Sequence, residues 1–268
     1  MTTAQHTKEP ATTTITDQDL EEVINQSTHP DQAGPTAEQR ILAIDIGGTG
    51  LKAAILSSEG EMLTERHRIV TPHPVTPEGL VDALTKLIEP LAGFDYVSVG
   101  FPGVVRHGKI ITAPNLGTDV LKGFNLAAAL QERLGKPVRV INDADMQGYG
   151  AIERKGLEMV ITLGTGFGSA LFMDGQLAPH LEIAHLPFRK DKDYDQQIGD
   201  KARKKLGKKA WNRRVQRAIK TLRVLTNFDK LYIGGGNAAR INFKLDPDVK
   251  IISNECGIRG GAWLWRKK

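Results

Sequence analysis

The sequence predicts an α/β fold built from two similar halves, and two patterns carry that reading. From Ile41 onward, apolar strand-like runs alternate with amphipathic helical segments, as in a sheet with helices packed on its faces. A strand, a Gly/Thr turn and a second strand occur twice, first in ILAIDIGGTGLKAAIL and again in LEMVITLGTGFGSALFMDG; such a recurrence marks an internal repeat. The chain has 268 residues, of which 40% are hydrophobic and 25% charged, enough for a real core and balanced as in a soluble globular protein.

Each element follows from its own pattern. ILAIDI is an apolar strand, LKAAIL its hairpin partner, and residues 62–70 supply a third strand. Leu80, Leu84, Leu87 and Leu91 recur at helical spacing behind Thr76, a candidate N-cap. YVSVG reads as a buried strand, NLAAALQERLG as a helix closed by Gly135, and VRVIN as a further strand. ADMQGYGAIERKG reads as a helix. Residues 195–227 are helical, broken at Gly207, with Trp211, Val215, Ala218, Leu222 and Leu225 as the apolar stripe. KLYIGGGNA is strand to turn, and GIRGGAWLWRKK a short terminal helix with Trp263 and Trp265 in the core. Residues 1–39 are polar and acidic and are expected to form a disordered tail, with one short helix near 17–26.

Several classes are excluded. No run of 18 apolar residues could cross a membrane, and the N-terminus lacks the apolar stretch of a secretory signal. A single cysteine, Cys256, allows neither an internal disulfide nor a multi-thiolate zinc site. The expected compartment is the cytoplasm.

The net charge of +5 is unevenly spread. Residues 1–40 carry −5, residues 189–223 carry +10, and the remainder sums to zero. A basic stretch of this density either attracts polyanions through counterion release or serves as a solvated helix face. Charge alone also allows the acidic tail to pair with it.

Three glycine-rich turns follow apolar strands: Gly47-Gly48-Thr49-Gly50, Gly164-Thr165-Gly166-Phe167-Gly168 and Gly234-Gly235-Gly236. Glycine admits an anion close to the backbone, and successive N–H groups form a nest for phosphate oxygens. Thr49 and Thr165 add hydroxyls, and Lys52 a charge. None is a Walker A loop, and none opens a helix as a dinucleotide fingerprint does. Glycines also serve hairpins and bulges, so it is the repetition that favours phosphate. Asn142-Asp143 ends a strand, where a carboxylate can project into a cleft as a base; equally, Asp143 can cap the helix that follows, and Asp145 is its local competitor.

The order DIGGTGLK, GFPG, APNL, VINDAD, LGTGFGSAL, EIAH, IGGGN, across nearly all of residues 41–268, resembles the ROK family of sugar kinases in the actin–hexokinase–Hsp70 fold superfamily. Within it, the chain looks most like the polyphosphate-using glucokinases and glucomannokinases of bacteria. That resemblance implies a two-domain actin-like ATPase fold with sugar and phosphoryl donor in the cleft between domains. Residues 40–141 with 256–268 would form a small α/β domain, and 142–255 a large one. It implies Asp143 as the base for the 6-hydroxyl of glucose, and possible use of mannose. Gly100, Pro102, Gly103, Asn115, Asn142, Asp143, Glu182, His185 and Asp195 would border the sugar. Gly47, Gly48, Thr49, Gly50, Lys52, Gly164, Thr165 and Gly166 would cradle phosphate, Gly235 and Gly236 would lie near the adenosine of ATP, and Asp45 would hold magnesium through water.

Lys201, Lys204, Lys205 and Lys208 would line a polyphosphate track. Typical members carry a three-cysteine zinc motif where this chain has PFRKDKDYDQQIGD, so no zinc is expected. Packing must then hold the Glu182–His185 segment, and of seven histidines only His185 falls in a motif. Ala184 stands where the family more often has Gly. The competing readings are a kinase restricted to ATP, a silent sugar-binding protein, and a sugar-responsive repressor, for which residues 1–39 are too short and acidic to form a helix-turn-helix. No specific nucleic acid or membrane partner is expected.

Overall fold

The computed structural model describes residue 36 and residues 38–266, which fall within one compact unit, Pro35–Lys268. The expected tail and its short helix lie outside the described residues. Among the described residues no helix is long and apolar enough to cross a membrane.

In the first half, β1 (Ile41–Ile46), β2 (Leu51–Leu56) and β3 (His67–Ile69) pair antiparallel in sequence. Helix α1 (Pro77–Ile88) leads to β4 (Tyr96–Phe101), parallel to β1. A hairpin of β5 (Val105–Arg106) and β6 (Lys109–Ile110), then α2 (Thr118–Leu121) and α3 (Leu126–Leu134), lead to β7 (Val138–Asn142), parallel to β4. Helix α4 (Asp143–Tyr149) enters the second half: β8 (Leu157–Leu163), β9 (Phe167–Met173) and β10 (Gln176–Leu177), again antiparallel in sequence. A 3-10 turn (Ile183–His185) and a hairpin of β11 (Pro187–Arg189) and β12 (Lys192–Asp193) precede α5 (Tyr194–Ile198) and α6 (Asp200–Thr226). Strands β13 (Lys230–Gly234) and β14 (Val249–Ile251) run parallel to β8, and α7 (Cys256–Arg259) continues into a 3-10 turn (Gly260–Trp265).

The sheet orders are β3-β2-β1-β4-β7 and β10-β9-β8-β13-β14. Counted within its own half, each is three-two-one-four-five with the same parallel and antiparallel pairings. The repeat seen in the strand–turn–strand motif therefore extends over a whole five-stranded sheet.

The local signals act as expected where they are strongest. Thr76 accepts the Gly79 N–H at 3.0 Å with Pro77 in the first turn of α1, and Gly135 closes α3 in the left-handed region at φ 62°. Gly207, at φ 73° and ψ 167°, divides α6. Four expectations need correction, the fourth being Trp263, which is half-buried rather than in the core. Strand β3 covers only His67–Ile69, with one isolated bridge from Met62 to Leu56. The helix expected from ADMQGYGAIERKG stops at Tyr149 with Gly150 as its C-cap, and there it lies so close to α7 that a Cβ on Gly150 would come within 2.3 Å of the Cys256 carbonyl. On α6, Leu225 is 58% exposed, while Ile219 is buried and Phe228 closes that end of the core.

Both faces of each sheet are covered, which is why ILAIDI reads as a continuous apolar run rather than an alternating one. Leu80 and Leu84 of α1 and Leu130 of α3 pack on one face of the first sheet, and Ile258, Ala262 and Trp265 on the other. The Ser98 hydroxyl donates to the Gly261 carbonyl at 2.6 Å and accepts from Trp265 Nε1 at 2.9 Å. Trp263 is instead stacked between the Arg154 and Arg266 guanidinium groups. Trp211, Val215 and Leu222 of α6 pack on the second sheet. Helix α4 lies between the sheets. A Cβ on Gly100 of β4 would stand 2.8 Å from Met146, and one on Gly148 would stand 2.3 Å from Phe172 of β9. Glycine at both positions lets the helix touch both sheets.

Candidate active site

The N-terminus of α4 opens into a cleft with about 850 Å3 of space within its walls and mouth. Asn142 shapes that end. Its side-chain oxygen accepts the N–H groups of Ala144 at 2.8 Å and Asp145 at 3.3 Å, and its amide donates to the Gly103 carbonyl at 3.1 Å. Asn142 is therefore the cap, and Asp143 is left to face the cleft. Among the described residues the Asp143 carboxylate accepts only the Ala144 N–H, at 2.8 Å. Burial, followed by the charge of Asp45, pushes its pKa up to about 7. Asp145, the competitor, is 3% exposed and bound to His180, with both carboxylate oxygens 3.1 Å from Nδ1.

The two glycine turns flank Asp143. Gly47 and Gly48 line the cleft, and the first turn closes with Gly47 N–H donating to Gly50 O at 3.1 Å. Thr71 donates to the Gly47 carbonyl at 2.6 Å, and His73 Nε2 lies 3.0 Å from the Gly48 carbonyl. The second turn closes with Gly164 N–H donating to Gly166 O at 3.0 Å, and Gly164, Thr165, Gly166 and Gly168 line the cleft. Asp195 reaches this turn from α5, its Oδ1 accepting the Phe167 N–H at 2.8 Å. A Cβ on Gly166 would stand 2.2 Å from that oxygen, so the close approach requires glycine.

The cleft brings together Asp143, Asn142, Pro102, Gly103, Asn115, Glu182, His185 and Asp195, along with Thr165 and glycines of both turns. The remaining candidates do not line it. Gly100 lies under α4 and sets its approach. Lys52 is opposite Asp45 across the β1–β2 hairpin and donates to it at 2.7 Å, so its charge is spent on that carboxylate. Thr49 and Gly50 complete the first turn outside the cleft lining. Gly235 packs on the end of β8, where a Cβ would stand 2.5 Å from the Leu163 carbonyl, while Gly236 is open. Asn237 links this third turn to the second, donating to the Gly164 carbonyl at 3.1 Å. Lys201, Lys204, Lys205 and Lys208 are exposed on the first turns of α6. That helix begins at the second glycine turn, with the Asp200 N–H 3.2 Å from the carbonyls of both Gly164 and Thr165. Lys204 and Arg203 pair with Asp200 and hold its pKa down to about 2.

Packing holds the Glu182–His185 segment, as the missing cysteines require. Ile183 and Ala184 are buried with Phe188, Tyr194, Ile198 and Trp211. Phe188 meets Tyr194 edge-on at 4.8 Å, Trp211 Nε1 donates to Ile198 O at 2.7 Å, and Ser169 donates to Leu181 O at 3.0 Å. His180 is the residue that the sequence reading missed. It lines the cleft, and its Nε2 lies 2.9 Å from Glu182 Oε1. Burial opposes protonation of this ring, but the hydrogen bonds and charges of Asp145 and Glu182 outweigh it and raise the pKa to about 10. Its only sequence signal was its place two residues before Glu182.

A ROK family model matches residues 41–185. The chain belongs to the ROK family. It is 30% identical over 241 residues to the polyphosphate glucokinase of Mycobacterium tuberculosis, covering 85% of this chain and 89% of that one. The crystal structure of the inorganic polyphosphate/ATP-glucomannokinase from Arthrobacter sp. strain KM superposes with a TM-score of 0.77 at 34% identity, covering 84% of this chain and 98% of that one. A ROK family glucokinase from Streptomyces griseus, in complex with glucose and AMPPNP, shares the fold with a TM-score of 0.72 at 20% identity, covering 85% of this chain and all of that one. The architecture is thus the actin-like ATPase fold of the ROK sugar kinases.

Proposed function

We propose that this ROK-family sugar kinase transfers the terminal phosphoryl group of inorganic polyphosphate or ATP to the 6-hydroxyl of glucose, with mannose as a second acceptor. The observation that carries the reading is Asp143. Its carboxylate stands in the cleft between two glycine turns with a pKa near 7, in the range suited to a general base at neutral pH. Glucose would bind against Asn115, Glu182, His185 and Asp195, with Asn142 and the Pro102–Gly103 segment setting the depth of the floor. Asp143 takes the proton from the 6-hydroxyl as its oxygen attacks phosphorus, and the bond to the donor's bridging oxygen breaks. Backbone N–H groups of both turns hold the non-bridging oxygens. Division into a small lobe, 40–141 with 256–268, and a large one, 142–255, would let the cleft close and exclude water.

Magnesium fits the residues present. Among the described residues no group of three or more His, Cys, Asp or Glu side chains could cage a metal ion. Magnesium keeps most of its waters and uses one or two carboxylates, and Asp45, at the end of β1 beside the first turn, offers one. When bound, the ion would neutralise charge on the donor phosphate. The polyphosphate reading draws on the basic helix that starts at the second glycine turn and on the two polyphosphate-using relatives, each at least 30% identical.

The test is glucose phosphorylation with magnesium, supplied separately with nucleotide-free polyphosphate and with ATP. Turnover with both supports the full reading; turnover with ATP alone keeps the kinase and removes the polyphosphate track. Asp143→Asn should lower kcat by about 10²–10⁴-fold while glucose binding persists. An Asp143→Asn enzyme with wild-type turnover would sink the assignment of the base.

A further inference from the structure

The sugar wall and the helix carrying Asp143 are linked by one side chain. His180 sits just before the 3-10 turn, 15% exposed, with Asp145 of α4 on one ring nitrogen and Glu182 on the other. Glu182 faces the cleft with its second oxygen 3.7 Å from His185 Nε2. Asp145 lies two residues beyond Asp143, at the capped end of α4. We propose that His180 is a positioning residue for the acceptor sugar, clamped between Asp145 and Glu182 so that the Glu182 carboxylate is held at the sugar in fixed relation to Asp143. This rests on the kinase reading above.

Chemistry and geometry agree on the role. A carboxylate at a cleft wall rotates freely unless one oxygen is fixed, and a charge-assisted hydrogen bond at 2.9 Å fixes one while leaving the other for a sugar hydroxyl. Neutral imidazole has one N–H and could donate to only one neighbour, whereas the protonated ring donates to both. The charged groups facing this ring are Asp143 and Asp145 from α4 and Glu182 beside it, with His185 beyond Glu182. Its positive charge also stands among three carboxylates that would otherwise repel one another at the sugar. His180 acts through Glu182 and touches no reacting atom.

The experiment compares wild type with His180→Gln, Asp145→Asn and the double variant, measuring KM for glucose, KM for donor, kcat and the unfolding midpoint of each. His180→Gln should raise glucose KM about tenfold, the worth of one charge-assisted hydrogen bond, and leave donor KM within about twofold. The double variant should cost less than the product of the two single effects, because the bond between them is lost once. Equal rises in both KM values, or multiplicative singles, would overturn the clamp. If a variant fails to fold, the wild-type ring is read by nitrogen NMR. It should carry both N–H protons at about pH 8, where ordinary imidazole is neutral, and shift on adding glucose. A neutral ring at that pH, or signals indifferent to glucose, would overturn the proposal. Wild type inactive on every hexose would instead defeat the kinase reading, and ring protonation would still report on the clamp itself.

Discussion

At the end of β1 the chain places Asp45 before its glycine turn and Lys52 opposite it across the hairpin; the same two places at the end of β8 hold Thr162 and Gly168. The two hairpins share their pairing up to the turn, and each turn is closed by a backbone hydrogen bond, across four residues from Gly47 to Gly50 and across three from Gly164 to Gly166. Their surroundings differ. The first turn has a carboxylate and an ammonium group 2.7 Å apart. The second has no charge in those places and is crowded instead: a Cβ on Gly168 would stand 2.5 Å from Thr162 Oγ1 and 3.1 Å from the Ala144 Cβ at the start of α4. Topology places a glycine turn at the corresponding end of each sheet. Side chains at one strand position then assign one to charge and the other to pressing against the helix that carries Asp143.

Making the first turn resemble the second should have the largest effect. Asp45→Thr removes the carboxylate and leaves Lys52 unpaired. Turnover should fall on the order of 10²-fold, with glucose affinity retained and more magnesium needed for half-maximal rate. An Asp45→Thr enzyme with normal turnover and magnesium dependence would mean that the charge difference between the turns is incidental.

The crowding of the second turn makes a smaller prediction. Gly168→Ala should lower stability by about 1–3 kcal/mol through overpacking and turnover about tenfold through displacement of Asp143. Gly164→Ala, where nothing lies within 4 Å of the added carbon, should stay within about 0.5 kcal/mol of wild type. Unfolding midpoints and kcat for the pair decide it; equal losses would show that turn conformation, not contact with α4, sets the need for glycine.

Much of this was legible in the sequence because it depends on short-range pattern. Thr76, Gly135 and Gly207 act locally, and the strand–glycine–strand motif is visible in a dozen residues. The apolar run of β1 was legible as a strand, and its continuity follows from burial on both faces. What was not legible depends on contacts across the chain. Nothing near Gly150 says that α4 packs there against α7, since the close approach is to the carbonyl of Cys256. Lys52 looked like a phosphate ligand until the hairpin register placed it against Asp45. His180 has no motif, and its meaning comes from Asp145, 35 positions earlier.

The basic helix extends the contrast outward, for only the second turn is continuous with a cationic segment. Asp200 joins the two, with its N–H on the turn and its carboxylate on Arg203 and Lys204. Those pairs tie two cations down and leave Lys201, Lys205 and Lys208 exposed on the same stretch. Exposed charges are individually weak and screened by salt, so on the proposed reading a long polyanion would gain from them by adding small contributions, while ATP would reach only those nearest the turn. Replacing Lys201, Lys204, Lys205 and Lys208 by Gln should therefore raise polyphosphate KM by about three- to tenfold at low salt, with ATP KM within about twofold and the difference shrinking as salt rises. Lys204→Gln alone separates two causes. If releasing Asp200 perturbs the second turn, both donors suffer; if the helix acts as a track, the single change is nearly silent and the quadruple change is selective. Equal losses on both donors at every salt concentration would reduce the helix to a solvated face and leave the two turns as the whole of the donor site.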